Sequence, residues 1–195
     1  RDCVDLDDEL VGTLAHPALE LGDRSAATRY IREAARRDRS AGAPRRGAER
    51  LSALFAAGLA SKLPADRRVE LLGELGEAHL AAGDPAEAEE AFAQALAPRS
   101  PKISQLSRAT LHRKRAGACL RANTPTAARE SLKRARELFD QITETDELWR
   151  TERIKLTALE PSEAHGAGRH RDVLAITGRL LRTLGKDPDA PKGTQ

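Results

Sequence analysis

Large rings are scarce in this sequence: aromatic residues make up 3% of it, with 1 Trp, 1 Tyr and 3 Phe. So low a share favours burial through close packing of Ala and Leu over a core of large rings. Methionine is missing altogether, even at position 1, and the chain opens on Arg1-Asp2-Cys3. Such an opening is expected of a piece of a longer protein. Cysteine is limited to Cys3 and Cys119, too few for a disulfide framework, and with no secretory leader the pair fits a reducing cytoplasm. No apolar run approaches the roughly 20 residues that a membrane-spanning helix needs. Strong charge of one sign is also lacking. The balance of 33 basic and 30 acidic residues, net +3, describes a mixed, solvated surface and not a nucleic-acid polycation.

What the 195 residues do contain is helical periodicity, enough for about nine helices. The clearest stretch runs from Leu71 to Leu96. Apolar or small residues recur at Leu72, Leu75, Gly76, His79 and Leu80, and again at Ala88, Ala91, Phe92, Ala95 and Leu96, one face per helix. Between the two lies Gly83-Asp84-Pro85. Glycine can end a helix in the left-handed conformation, Asp can cap the next helix, and Pro suits a first helical position.

This hairpin resembles a tetratricopeptide repeat (TPR), with Gly76, Ala88, Phe92 and Ala95 in the small, small, bulky and small positions of that motif. Gly117, Ala128, Leu132 and Ala135 repeat the series around Asn123-Thr124-Pro125. Ala15, Ala27, Ile31 and Ala34 repeat it around Gly22-Asp23. The resemblance implies an all-α fold of antiparallel helix hairpins stacked as a right-handed superhelix.

The implied organisation is a first pair over residues 1–43, with Pro17 expected to kink its first helix. An irregular helix and linker follow over 44–68, the helix spanning Ala48 to Lys62. The best-matching repeat lies at 69–102 and a second clear one at 103–142. A degenerate pair with a capping helix occupies 143–185, in which Glu160-Pro161 to Arg169 is expected to be a loop. The tail, 186–195, is expected to be disordered.

Chemistry leaves few traces. His165 and His170 flank two glycines without a zinc spacing, His170-Arg171-Asp172 copies a kinase triplet without its companions, and Gly73-Glu74-Leu75-Gly76 lies inside a helix. No catalytic Ser/His/Asp set is expected, and neither a cofactor nor a metal is implied. Cys119 and Trp149 read as packing residues.

The resemblance therefore implies a non-catalytic module that binds a protein or peptide in a concave groove. Arg99, Lys102, Arg108, Arg113, Lys114, Arg115 and Arg121 fall in a stretch without one acidic residue. An acidic peptide or a C-terminal carboxylate is the partner such a groove would take. The groove residues implied are Leu111, Arg113, Lys114 and Arg121, with Glu77 from the preceding repeat. Ala118 stands where the Asn of a TPR carboxylate clamp is expected. The segments LPADRRVELLGELGEAHLAAGD and LHRKRAGACLRAN look like the repeat regions of large bacterial regulators linked to an ATPase or a Ser/Thr kinase. Two rival classes remain: a nucleic-acid contact through Arg36 to Arg50 and Arg99 to Arg121, and a helical enzyme whose site is not recognisable.

Overall fold

A computed structural model describes residues 18, 23–97, 103–143 and 146–184. Of the expected helix over 5–21 only Ala18 is described, and Ala15 and Pro17 lie outside the described residues. So do Cys3, Arg99, Lys102 and the tail.

Among the described residues there are eight α-helices, one short 3-10 turn and no strand. The helices are α1 (Arg24–Ser40), α2 (Pro44–Ala56), α3 (Ala65–Ala82), α4 (Pro85–Ala95), α5 (Gln105–Arg121), α6 (Pro125–Asp140), α7 (Glu147–Gly166) and α8 (His170–Leu184), with the 3-10 turn at Leu59–Lys62. They divide into two compact units, one ending at Ile103 and the other beginning at Ser104. No helix among the described residues is long and apolar enough to cross a membrane.

The hairpin turns share one geometry. Gly42, Gly83, Asn123 and Gly168 take φ of 77°, 87°, 57° and 71°. The residue after each donates its N–H to the carbonyl five positions earlier: Ala43 to Asp38, Asp84 to His79, Thr124 to Cys119 and Arg169 to Ala164, at 2.8–2.9 Å. That bond satisfies a carbonyl the ending helix would leave orphaned. In three of the turns Pro44, Pro85 or Pro125 then opens the second helix. The expectation that Asp84 caps α4 is corrected: its side chain makes no capping bond. It faces Arg45 at 3.4 Å and His79 at 3.9 Å instead.

The turns set the register of the hairpins. First helices begin at Arg24, Ala65, Gln105 and Glu147, offsets of 41, 40 and 42 residues, longer than the roughly 34 of a typical TPR. The first unit therefore holds α1/α2 and α3/α4, and the second α5/α6 and α7/α8. The irregular helix expected over 48–62 has a partner after all. It is shorter, and its start packs so tightly on α1 that a Cβ at Gly47 would meet the Ala35 carbonyl oxygen at 2.7 Å. Ala35, Leu51, Leu54, Leu71, Leu75, Ala78 and Ala91 form one core cluster in this unit.

Counting back seven from the left-handed residue gives Ala35, Gly76 and Ala116. Counting forward gives Gly47, Leu51 and Leu54; Ala88, Phe92 and Ala95; Ala128, Leu132 and Ala135. All twelve are buried. Phe92 is fully enclosed, and a Cβ at Gly76 would lie 2.6 Å from its ring. The reading of Gly117 as the counterpart of Gly76 is corrected by this register, which gives the place to Ala116. The two turns are equal in length, and Gly117 is only partly buried, its imagined Cβ 3.9 Å from Leu159.

In the second unit Ala109, Ala116, Leu132, Ala135, Phe139 and Leu156 make the core. Trp149 meets Phe139 edge-on at 6.3 Å and donates its indole N–H to the Phe139 carbonyl at 3.4 Å, fixing the start of α7 against the end of α6. The loop expected from Glu160 to Arg169 is largely helix. Pro161 sits inside α7 at the cost of one backbone hydrogen bond. Burial of Ala164 and Glu163 just beyond it holds the helix on course.

Candidate binding surface

The expected groove residues lie mainly on α5, whose start is capped by Ser104 accepting from the Ser107 N–H at 3.1 Å. The helix carries Arg108, Arg113, Lys114, Arg115 and Arg121 and no acidic residue. They are not equivalent. Arg113 donates through Nε to Glu152 of α7 at 2.7 Å, and the two side chains are 14% and 6% exposed. Lys155 holds the other oxygen of Glu152 at 2.8 Å. Burial alone would raise the Glu152 pKa, but the hydrogen bond from Lys155 and the charge of Arg113 outweigh it and hold the carboxyl below its ordinary value.

Arg113 is thus a clamp between the first helices of two successive hairpins. Arg32, ten residues before its own turn residue as Arg113 is, does the same in the first unit, holding Glu74 of α3 through three contacts of 2.5–3.0 Å. Glu77 belongs to the same kind of link, with Arg39 3.4 Å away. Leu111 is buried, at 6% exposure, and Ala118 is fully so. Of the expected groove set, Lys114 is half-buried and Arg121 is exposed.

His112 lies on the same helix, and its pKa is pushed down to about 4, first by burial and then by Arg115, Arg108 and Arg134, against a weaker pull from Glu130. The ring is therefore neutral in the folded protein at neutral pH. The unfolded chain binds a proton near pH 6.5, so His112 supports folding above that value and loses its contribution as pH falls toward 4. We expect His112→Gln to flatten the fall in stability between pH 6.5 and 4 by on the order of 1–2 kcal/mol, after allowance for solvent around a partly exposed ring. Urea unfolding midpoints at pH 7, 5.5 and 4.5 measure it. An unchanged slope would remove His112 from the acid response.

The basic run from Arg36 to Arg50 is largely neutralised within the first unit. Arg36 and Arg37 meet Glu33, Arg39 meets Glu77, Arg45 meets Asp84, and Arg46 and Arg50 share Asp38. Two other groupings were not legible in the sequence. Ser52 Oγ lies 3.5 Å from His79 Nε2, and Asp84 Oδ2 lies 3.9 Å from His79 Nδ1, around a pocket of about 310 Å³ also lined by Arg45. The residue types are those of a nucleophile, base and orienting carboxylate, but 3.9 Å is beyond hydrogen-bond reach, and the other Asp84 oxygen faces Arg45. The second is a cleft in the second unit, lined by residues of α6, α7 and α8. His165 and His170 stack edge to face at 5.4 Å. Among the described residues no three His, Cys, Asp or Glu converge as metal ligands, and Cys119 is buried.

This arrangement of paired helices has solved counterparts. The chain is similar to two crystal structures of nearly identical TPR-like repeats from a Podosopora anserina protein described as kinesin light chain. One superimposes with a TM-score of 0.72 over 92% of this chain and 85% of the other, at 18% identity. The second gives 0.66 over 95% and 100%, at 16% identity. Agreement at such low identity establishes the fold: an all-α, TPR-like repeat protein. No protein-family model matches the chain, and no curated protein matches it in sequence.

Proposed function

We propose that this chain is a non-catalytic interaction module that captures an acidic protein segment on the first-helix face of its second unit, through Lys114 and Arg121. The observation that carries the reading is α5 itself: five cationic side chains and no acidic one on a single helix, of which Arg113 is committed to Glu152. A carboxylate-rich segment complements the charge of a helix with five basic residues and no acidic one, and charge-assisted hydrogen bonds to Arg and Lys are the strongest such a surface can offer. A C-terminal carboxylate is the narrower version of the same ligand. The regulator-like sequence segments favour a place beside an effector domain in a larger bacterial protein of the cytoplasm.

The test is a direct titration of the whole chain with a fluorescein-labelled peptide ending in a run of Glu and Asp with a free carboxylate. Joint reversal, Lys114→Glu with Arg121→Glu, is expected to weaken binding at least tenfold, about 1.4 kcal/mol, with unchanged helical circular dichroism. Undiminished binding would reduce both residues to solvated surface charges.

A further inference from the structure

We infer that the cleft between α6 and α8 is a second peptide-docking site, one that takes an aliphatic side chain flanked by carboxylates. It rests on the proposed function only for the class of ligand, a protein segment, and it lies on different residues.

Both α6 and α8 pack against α7, and the gap they leave is a cavity of about 530 Å³. Its apolar lining is Leu132 of α6 and Ile176 of α8, and its charged rim is Arg129, Lys133, Arg136 and Arg169 against Glu160 and Glu163. The carboxylates are already held. Glu163, buried, accepts from Arg129 at 2.8 Å and also from Arg169, while Glu160 accepts from Arg136 at 2.6 Å. Of the residues that line the cleft four are cations and two are anions, and Arg169 also meets Asp172 of α8 at 3.1 Å. Lys133 sits between the two cross-helix pairs, and the carboxylate beside it is Glu137 of its own helix, at 4.0 Å. Its side chain is 73% exposed, so its ammonium can turn to a ligand at little cost.

The spacing selects an extended peptide. Arg129, Lys133 and Arg136 form an i, i+4, i+7 stripe about 10 Å long at 1.5 Å per residue. An extended polyproline-II chain covers that distance in about three residues at 3.1 Å each and returns to the same side at i+3. Two carboxylates three residues apart would reach the stripe, with an aliphatic side chain between them over Leu132 and Ile176. The two glutamates on the rim would repel a continuous polyanion, which sets this cleft apart from a nucleic-acid surface.

The experiment uses the full chain and an end-blocked, fluorescein-labelled peptide, Gly-Asp-Ala-Leu-Glu-Gly, read by anisotropy. We expect saturable binding, weakened at least tenfold by Lys133→Glu and, with the protein unchanged, by replacing the peptide Leu with Ser. The Lys114→Glu, Arg121→Glu protein should bind this peptide normally. Loss of binding in that protein alone would overturn the cleft and leave the proposed function standing, whereas loss in Lys133→Glu alone supports the cleft whatever becomes of α5. Equal competition by inorganic phosphate or by single-stranded DNA, or a self-association of the chain abolished by Lys133→Glu, would assign the cleft another occupant and overturn the inference. Ile176→Ser, a milder change on α8, provides a second variant with the same expected direction.

Discussion

Phe92→Ala is expected to lower the stability of the chain by about 3–5 kcal/mol, the cost of deleting a fully buried ring and leaving its space empty. Phe92 is wholly enclosed, and it lies across Gly76 so closely that no side chain on α3 fits beneath it. With few aromatic residues in the sequence, each buried ring carries a large share of the packing that the Ala-rich helices cannot supply. The measurement is equilibrium unfolding in urea. In the Phe92→Ala background, adding Gly76→Ala should cost nothing further, because the added methyl then occupies vacated space. A loss under about 1 kcal/mol for Phe92→Ala would place the ring at the surface.

Arg113→Met should destabilise by about 2–4 kcal/mol, because it strands the Glu152 carboxylate in a site 6% exposed with Lys155 as its remaining partner. The double variant Arg113→Met, Glu152→Leu should recover most of the loss, since replacing both members of a buried pair by apolar groups is often neutral. The pair also has an acid signature. Glu152 is held below its ordinary pKa, with Lys155 and Arg113 outweighing burial, so its contribution is present above the unfolded carboxyl value and disappears as pH falls through the folded one. Thermal unfolding at pH 7 and pH 3.5 should show the Arg113→Met deficit shrinking at the lower pH. A deficit equal at both values would mean that Arg113 matters by packing alone.

The hairpins were legible in the sequence to the extent that their turns were. Gly83-Asp84-Pro85 and Asn123-Thr124-Pro125 marked α3/α4 and α5/α6 because Gly or Asn before an X-Pro step is a local instruction, carried by φ and ring geometry. Gly42-Ala43-Pro44 is the same instruction, and Ala35, Gly47, Leu51 and Leu54 repeat the spacing of 12, 4 and 3. Ala15, Ala27, Ile31 and Ala34 satisfy that spacing as well, and that series reads α1 as the second helix of an earlier pair. Small residues are common in an Ala-rich chain, and spacing alone does not choose between two such registers. Pro161 misled in the opposite direction: a helix anchored by buried residues on both sides absorbs a proline that local rules treat as a break.

The surface was less legible. That α5 is basic could be read directly, but which of its charges are committed depends on α7. Arg113 and Glu152 are 39 residues apart, and no local pattern announces that they meet. The same holds for Arg129 with Glu163 and for Ser52 with His79, which only the packing of hairpins brings together. Leu111 looked like a groove residue because it shares a stripe with Lys114 and Arg121, yet helical spacing does not reveal which stripe is covered.

The hairpins share one register, in which the residue seven before the left-handed turn lies beneath the bulky side chain of the second helix. The most direct measurement is a pair of unfolding curves, for Gly76→Ala and Gly117→Ala. At Gly76 the new methyl would strike the Phe92 ring, and a loss of about 1–3 kcal/mol is expected despite the better helix propensity of Ala. At Gly117 the nearest atom is 3.9 Å away, and a gain of up to about 1 kcal/mol is expected. Opposite signs are the predicted result, and a gain at Gly76 or a loss of similar size at both positions would contradict it.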